Sequence, residues 1–226
     1  MIKLKASTLK AQVRINKFLS DNNICSRREA DKLIEKYLIH INDKVAALGD
    51  TVKNGDTVNI NVANNINDYK YYAYNKPRGE VTSTLKELKG CHPLGNLDKE
   101  SDGLLIYTND YRLNDLLLNP IHNIEKEYTV VVREKATERV KDILLKGIKT
   151  QEGDYKPAKK VEISNEGRRL RIIICEGKKH EIRRMLNALR LTISSLTRSR
   201  FHTIKLLELK PKELREITLE ELKLKL

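Results

Sequence analysis

No apolar run in this 226-residue chain approaches the roughly 20 residues that a membrane span requires. No amphipathic basic segment with bulky apolar anchors stands out either, so no membrane partner is expected. The N-terminus, "MIKLKASTLKAQ", lacks a long apolar stretch and a small-residue cleavage site, and a secretory leader is not expected. Cysteine is scarce. Cys25, Cys91 and Cys175 are odd in number and widely scattered, which suits a reducing, cytoplasmic setting better than a disulfide framework. Cys91-His92 and the Cys175…His180 pair lack the spacing of a zinc knuckle, so no metal site is expected. No glycine-rich phosphate loop is present, which sets aside Rossmann and P-loop readings.

Positive charge is abundant. A formal charge of +13 and a pI near 9.5 attract polyanions, and nucleic acid is the first candidate. A basic enzyme that binds no polyanion is the alternative. Hydrophobic residues make up 39%, low for a globular protein but above the disordered range. The length allows one sizeable core plus a small accessory domain.

The first elements are helical. In "VRINKFLSDNN", Ile15, Phe18 and Leu19 recur at helical spacing. "CSRREADKLIEKYLIHINDK" opens on Ser26-x-x-Glu29, a capping box, and Ala30, Leu33, Ile34 and Tyr37 form the expected buried stripe. A short strand in "IHIND" and the β-branched alternation of "VAALGDTVKNGDTVNINV" complete a compact αα-plus-β module over residues 12–62. Arg27 and Arg28 oppose the helix dipole in the first turn. A phosphate docked there reverses the sign, making both candidate RNA contacts, although two solvated arginines remain the plain alternative.

Residues 63–69, "ANNINDY", read as a linker. Beyond it, strands are expected at 71–75, 103–108, 126–132, 158–163 and 170–175, with helices at 109–118 and 136–147. A final helix, "HEIRRMLNALR", precedes strands near 193–197 and 203–207. This interleaving implies an α+β fold with a mixed sheet over residues 70–226.

Four features of that region bear on chemistry. Asp98, Glu100 and Asp102 crowd one loop, which fits a carboxylate site or a solvated acidic turn. Tyr128 in "IEKEYTVVV" is core by default and a stacking platform for a base by alternative. In "KKHEIRRMLNALR", Ile182, Met185, Leu186 and Leu189 share one face. Arg184 falls nearly opposite them, toward solvent or a phosphate backbone. Arg183 falls on the flank, within reach of a partly buried carboxylate. Lys178 and Lys179 make the approach to that helix basic, and a solvated basic face is again the plain alternative. Leu196 and Arg198 lead into the closing strands.

The stretch "RINKFLSDNNICSRREADKLIEKYLIHINDKV" resembles the small RNA-binding domain of the S-four type. The ordered motifs "NKPRGEVTST", "PLGNLDKESDGLLIYTND", "HNIEKEYTVVV", "EGKKHEIRRML" and "LTRSRFHTIKL" resemble the pseudouridine synthases of the bacterial ribosomal-RNA group, the RsuA-like and RluB/RluE/RluF-like enzymes. The resemblance implies a pseudouridine synthase domain built on a mixed, largely antiparallel sheet. It implies a monomer that acts on ribosomal RNA without a cofactor. By position, Asp98 matches the catalytic aspartate, Tyr128 the tyrosine that stacks on the target base, and Arg183 the basic partner of the aspartate. Leu196 lies near the hydrophobic pocket position. The Asp-Lys-Glu-Ser spacing leans toward the large-subunit enzymes. The chain departs from the pattern at Asn96, where the family reads Gly-Arg-Leu-Asp. That arginine is thought to hold or displace the target nucleotide, so a weakly active or inactive RNA-binding assembly protein stands as the alternative.

Overall fold

A computed structural model describes residues 2–61 and 69–224. The chain divides into two compact units, Met1–Tyr69 and Lys70–Leu226. The linker expected at 63–69 lies, apart from Tyr69, outside the described residues.

The first unit contains β1 (Ile2–Lys5), β2 (Val13–Arg14), α1 (Ile15–Asp21) and α2 (Arg27–Glu35). It continues through β3 (Ile39–Ile41), β4 (Lys44–Val45), β5 (Thr51–Val52) and β6 (Thr57–Ile60). A four-stranded sheet runs β1-β6-β3-β4, and β2 pairs with β5. The capping box is formed reciprocally: the Ser26 hydroxyl accepts from the Glu29 N–H, and the Glu29 carboxylate accepts from the Ser26 N–H. Ala30 and Ile34 are buried as expected, but Leu33 is only partly so and Tyr37 is 74% exposed. The helix ends at Glu35, and Tyr37 adopts a left-handed φ of 58°, which turns its ring away from the stripe. Strand β1 has no counterpart in the sequence reading. It pairs with β6 through Ile2↔Ile60 and Leu4↔Val58, a contact across more than 50 residues that local periodicity does not carry.

The second unit contains β7 (Tyr71–Lys76), β8 (His92–Leu94), β9 (Asp102–Thr108), α3 (Arg112–Leu118) and β10 (Lys126–Val132). Next come α4 (Glu138–Lys146), β11 (Ile148–Thr150), β12 (Gly153–Tyr155), β13 (Lys160–Ser164) and β14 (Arg169–Ile174). The chain closes with α5 (Glu181–Ala188), β15 (Ile193–Phe201), β16 (Ile204–Lys205), β17 (Leu214–Glu216) and a short α6 (Leu219–Leu222). The main sheet runs β13-β14-β10-β15-β9-β7-β17, with β16 on β15 and β8 on β9. Its pairs are antiparallel except β15 with β9, so it is mixed and mostly antiparallel.

Burial explains the order of the strands. In β9 every residue after Asp102 is buried, as a central strand covered on both faces requires. In β10 burial alternates strictly, sending Lys126, Tyr128, Val130 and Val132 to one face. The β9–β15 pairing rests on Gly103, whose φ is +105°: a Cβ there would stand 2.5 Å from the Arg198 carbonyl oxygen. Helix α5 buries Ile182, Met185 and Leu186, the apolar face expected of it. Strand β17 and the β11–β12 hairpin were not read from sequence, because each is three residues long and gives no measurable period.

Candidate active site

Asp98 sits in the turn between β8 and β9. Gly95 opens this turn at φ +73° and the Ser101 N–H closes it on the Asp98 carbonyl oxygen at 3.0 Å. The turn is tied from outside by Thr82. Its hydroxyl donates to the Leu97 carbonyl oxygen and accepts from the Leu97 N–H, both at 3.0 Å. Lys76 anchors the segment that carries Thr82. Its ammonium, almost wholly buried, donates to the carbonyl oxygens of Pro77 at 2.9 Å and Glu80 at 2.7 Å. Burial depresses the Lys76 pKa, against the pull of Asp102 and other nearby carboxylates.

The Asp98 carboxylate is held on both oxygens. Arg183 Nε lies 3.3 Å from Oδ2, and His180 Nε2 lies 3.2 Å from Oδ1. Arg183 Nη2 also donates to the Glu100 carbonyl oxygen and to Ser101 Oγ, each at 2.8 Å, so one guanidinium fixes both the carboxylate and its turn. Both holders come from the start of α5. His180 precedes the helix in a left-handed conformation, φ 57°, and the three-residue step to Arg183 places both on one side. Neither the sequence reading nor the motif resemblance singled out His180. The contact crosses 82 positions of sequence.

Asp98 opens onto a cavity of about 490 Å³. Tyr128 from β10 and Leu196 from β15 line it, together with Leu118, Ile174 and Ile182. The register pairs Tyr128 with Arg198 and Val130 with Leu196, which puts Tyr128, Leu196 and Arg198 on one face of the sheet. The volume lies within the range of small-ligand pockets. Three charged side chains lie deep in this cavity, each at most 5% exposed: Arg198, named in sequence only as leading into the closing strands, and Lys126 and Glu181, which sequence does not single out. Burial lowers the Lys126 pKa, and the neighbouring Arg198 charge lowers it further. Burial raises the Glu181 pKa although its carboxylate accepts from the Lys178 N–H at 2.8 Å. In sequence these residues look like ordinary surface charges, and only the pairing of β10, β15 and α5 buries them.

The remaining candidates are placed as follows. Asn96 is exposed at the cavity mouth. Lys179 lines the same mouth and is exposed. Lys178 is engaged with the Asp154 carbonyl oxygen at 2.6 Å and with Glu176 at 3.3 Å. Arg184 departs from expectation: it pairs with Glu152 at 2.7 Å, in the turn of the β11–β12 hairpin, instead of facing open solvent. Arg27 and Arg28 are exposed in the first turn of α2. Glu100 pairs with Arg78 at 3.2 Å at the surface. Among the described residues no cluster of His, Cys, Asp and Glu is arranged to hold a metal ion, and no helix is long and apolar enough to cross a membrane.

Residues 70–188 match the family described as RNA pseudouridylate synthase, and residues 13–58 match the S4 domain. The dual-specificity RNA pseudouridine synthase RluF of Escherichia coli is 33% identical, over 94% of this chain and 78% of that protein. Ribosomal large subunit pseudouridine synthase B of Xylella fastidiosa is 32% identical, over 91% of this chain and 48% of that protein. A crystal structure of a pseudouridylate synthase superimposes with a TM-score of 0.69 at 26% identity, covering 93% of this chain and 98% of that one. The chain belongs to the RNA pseudouridylate synthase family and carries the family's isomerase domain behind an N-terminal S4 RNA-binding domain.

Proposed function

We propose that the protein isomerises a specific uridine of ribosomal RNA, in the large subunit, to pseudouridine, with Asp98 as the catalytic carboxylate. One observation carries this reading: a carboxylate gripped on both oxygens, by His180 and Arg183, at the wall of a cavity of about 490 Å³, roomy enough for a nucleotide, lined by Tyr128 and Leu196. The uridine leaves its stack to enter, at a cost of a few kcal/mol. Tyr128 and Leu196 then hold the base by stacking and apolar contact. Asp98 acts on the ribose, by attack at C1′ or by removal of a proton. The N1–C1′ bond breaks, the base turns, C5 bonds to C1′, and the proton on C5 is lost while N1 regains one. Every bond belongs to one nucleotide and no electrons are gained or lost overall, so the reaction calls for no redox cofactor. A cytoplasmic monomer suffices for it.

Arg27, Arg28, Lys178, Lys179 and Arg184 are the proposed contacts to RNA phosphates. The exposed Arg27, Arg28 and Lys179 are the ready ones. Lys178 and Arg184 must exchange an internal partner for a phosphate. Asn96 is the observation that favours the second reading, a binder with little activity, because it provides no long cation at the cavity mouth. A map of pseudouridines in ribosomal RNA from cells with and without the protein separates the two. Loss of one or a few sites supports the synthase. An unchanged map supports the binder.

A further inference from the structure

Arg198 is the largest side chain with under 2% of its surface exposed or close to it, and its hydrogen bonding is incomplete. Nε donates to the Leu104 carbonyl oxygen at 2.8 Å, while Nη2 is buried without a hydrogen-bond partner among the described residues. Buried donors are almost always satisfied, and a charged one is the costliest to leave unmade. The guanidinium also rests on the Phe201 ring, 5.0 Å from its centroid, and the Lys126 ammonium lies 5.5 Å from the same centroid. Two cations therefore share one ring at the floor of the Asp98 cavity, and they repel each other. Among the described residues no carboxylate forms an ion pair with Arg198, and Glu181 is the only acidic side chain besides Asp98 among those lining the cavity. Such an arrangement lacks an acceptor carrying negative charge.

The register says where that acceptor sits. Arg198 is directly across from Tyr128 on the neighbouring strand, on the same face of the sheet. A base stacked on Tyr128 lies beside the guanidinium with a ring edge toward it. The N1–C1′ bond breaks with its electron pair on the uracil, whichever route Asp98 takes, so the base becomes an anion whose charge spreads onto its carbonyl oxygens. We propose that Arg198 Nη2 donates to a carbonyl oxygen of the target uracil and stabilises the negative charge that the base carries between bond breaking and bond making. This assignment rests on the proposed pseudouridine synthase function and adds a catalytic residue to it. It also gives a reason for Gly103: only a residue without Cβ lets β9 approach the Arg198 backbone closely enough to fix this side chain.

The test compares Arg198→Gln and Arg198→Lys with the wild-type chain in single-turnover reactions. The RNA carries either uridine or 5-fluorouridine at the target. Fluorine makes the base a better leaving group but leaves no proton on C5 to lose, so both substrates are followed by consumption of the target nucleoside and not by release of the C5 hydrogen. Arg198→Gln is expected to slow uridine turnover by about 10²-fold, with RNA affinity unchanged within about threefold. The same variant on 5-fluorouridine is expected to recover about tenfold of that loss, and Arg198→Lys to lose less than Arg198→Gln. Equal losses on both substrates would mean a structural role only, and no loss would remove Arg198 from the reaction. Should neither variant fold, wild-type protein is assayed on targets with sulfur in place of O2 or O4, a weaker acceptor. Slowing by one of the two substitutions supports the contact, and slowing by neither overturns it. A wild-type chain that makes no pseudouridine overturns the functional reading itself, an outcome distinct from these.

Discussion

Replacing Arg183 probes the Asp98 clamp, and its size follows from the distances. At 3.3 Å and an effective dielectric of about 20, the guanidinium and carboxylate attract by about 5 kcal/mol before desolvation is subtracted. Both side chains are between a quarter and a third exposed, so screening removes part of that. The two Nη2 bonds to the Glu100 carbonyl oxygen and Ser101 Oγ add roughly 1.5 kcal/mol each as charge-assisted bonds. Arg183→Met loses both contributions and is expected to slow single turnover by about 10³-fold, equivalent to about 4 kcal/mol. Arg183→Lys keeps a charge near Asp98, but a compact ammonium does not reach the turn oxygens as a fork does. A loss of about 10- to 100-fold is expected for it. RNA affinity stays within about threefold in both, because the clamp faces inward. The assay is tritium release from uridine labelled at C5, with enzyme in excess. Wild-type rates in Arg183→Met would refute the clamp.

Asn96→Arg is expected to speed modification of folded ribosomal RNA by up to about tenfold, and of an unstructured fragment by less, since about 1.4 kcal/mol of the unstacking cost is recovered; equal effects would make Asn96 a neutral replacement, with the exposed Lys99 already in the role. Changing Arg27 and Arg28 together to Ala is expected to flatten the log–log salt dependence of RNA affinity by about one to two, and an unchanged slope would mark them as ordinary solvated side chains. Gly103→Ala forces a Cβ to within 2.5 Å of the Arg198 carbonyl oxygen at φ +105°, and a loss of about 3 kcal/mol or more is expected in chemical denaturation; a loss under about 1 kcal/mol would contradict the close approach of β9 and β15. His202 titrates below its ordinary 6.5 because burial disfavours its charged form, and its Nε2 has no partner among the described residues. A depressed pKa contributes stability that is fully present above about pH 6.5 and is lost as pH falls through the folded value. His202→Gln should therefore lose less stability than wild type between neutral and mildly acid pH, and identical pH profiles would remove His202 from acid unfolding.

Much of this site is legible in sequence where periodicity is strong. The apolar stripe of α5 leaves Arg183 on its flank, which is where it meets Asp98. The inward aim of Tyr128, by contrast, shows only in the alternating burial of β10, because its residues, with Lys126 buried and three valines in a row, do not alternate in polarity. What is not legible depends on long-range pairing. His180 reaches Asp98 only because α5 packs beside the β8–β9 turn, and a left-handed histidine before a helix has no sequence signature. Arg198 stands in a motif that sequence picks out, but its burial shows only once β9, β10 and β15 close around it. Arg184 is expected to face solvent or a phosphate backbone, and its pairing with Glu152 in the β11–β12 hairpin, too short to give a period, is not legible in sequence. Tyr37 fits the α2 stripe by spacing alone, yet the helix stops two residues short of it.

The most direct measurement is pseudouridine formation by Asp98→Asn on ribosomal RNA. Asparagine keeps the size and one of the two acceptor oxygens that face His180 and Arg183, and it removes the charge and the nucleophile. Tritium release is expected to vanish while RNA binds within about threefold of wild type. Turnover near the wild-type rate would contradict the catalytic role of Asp98.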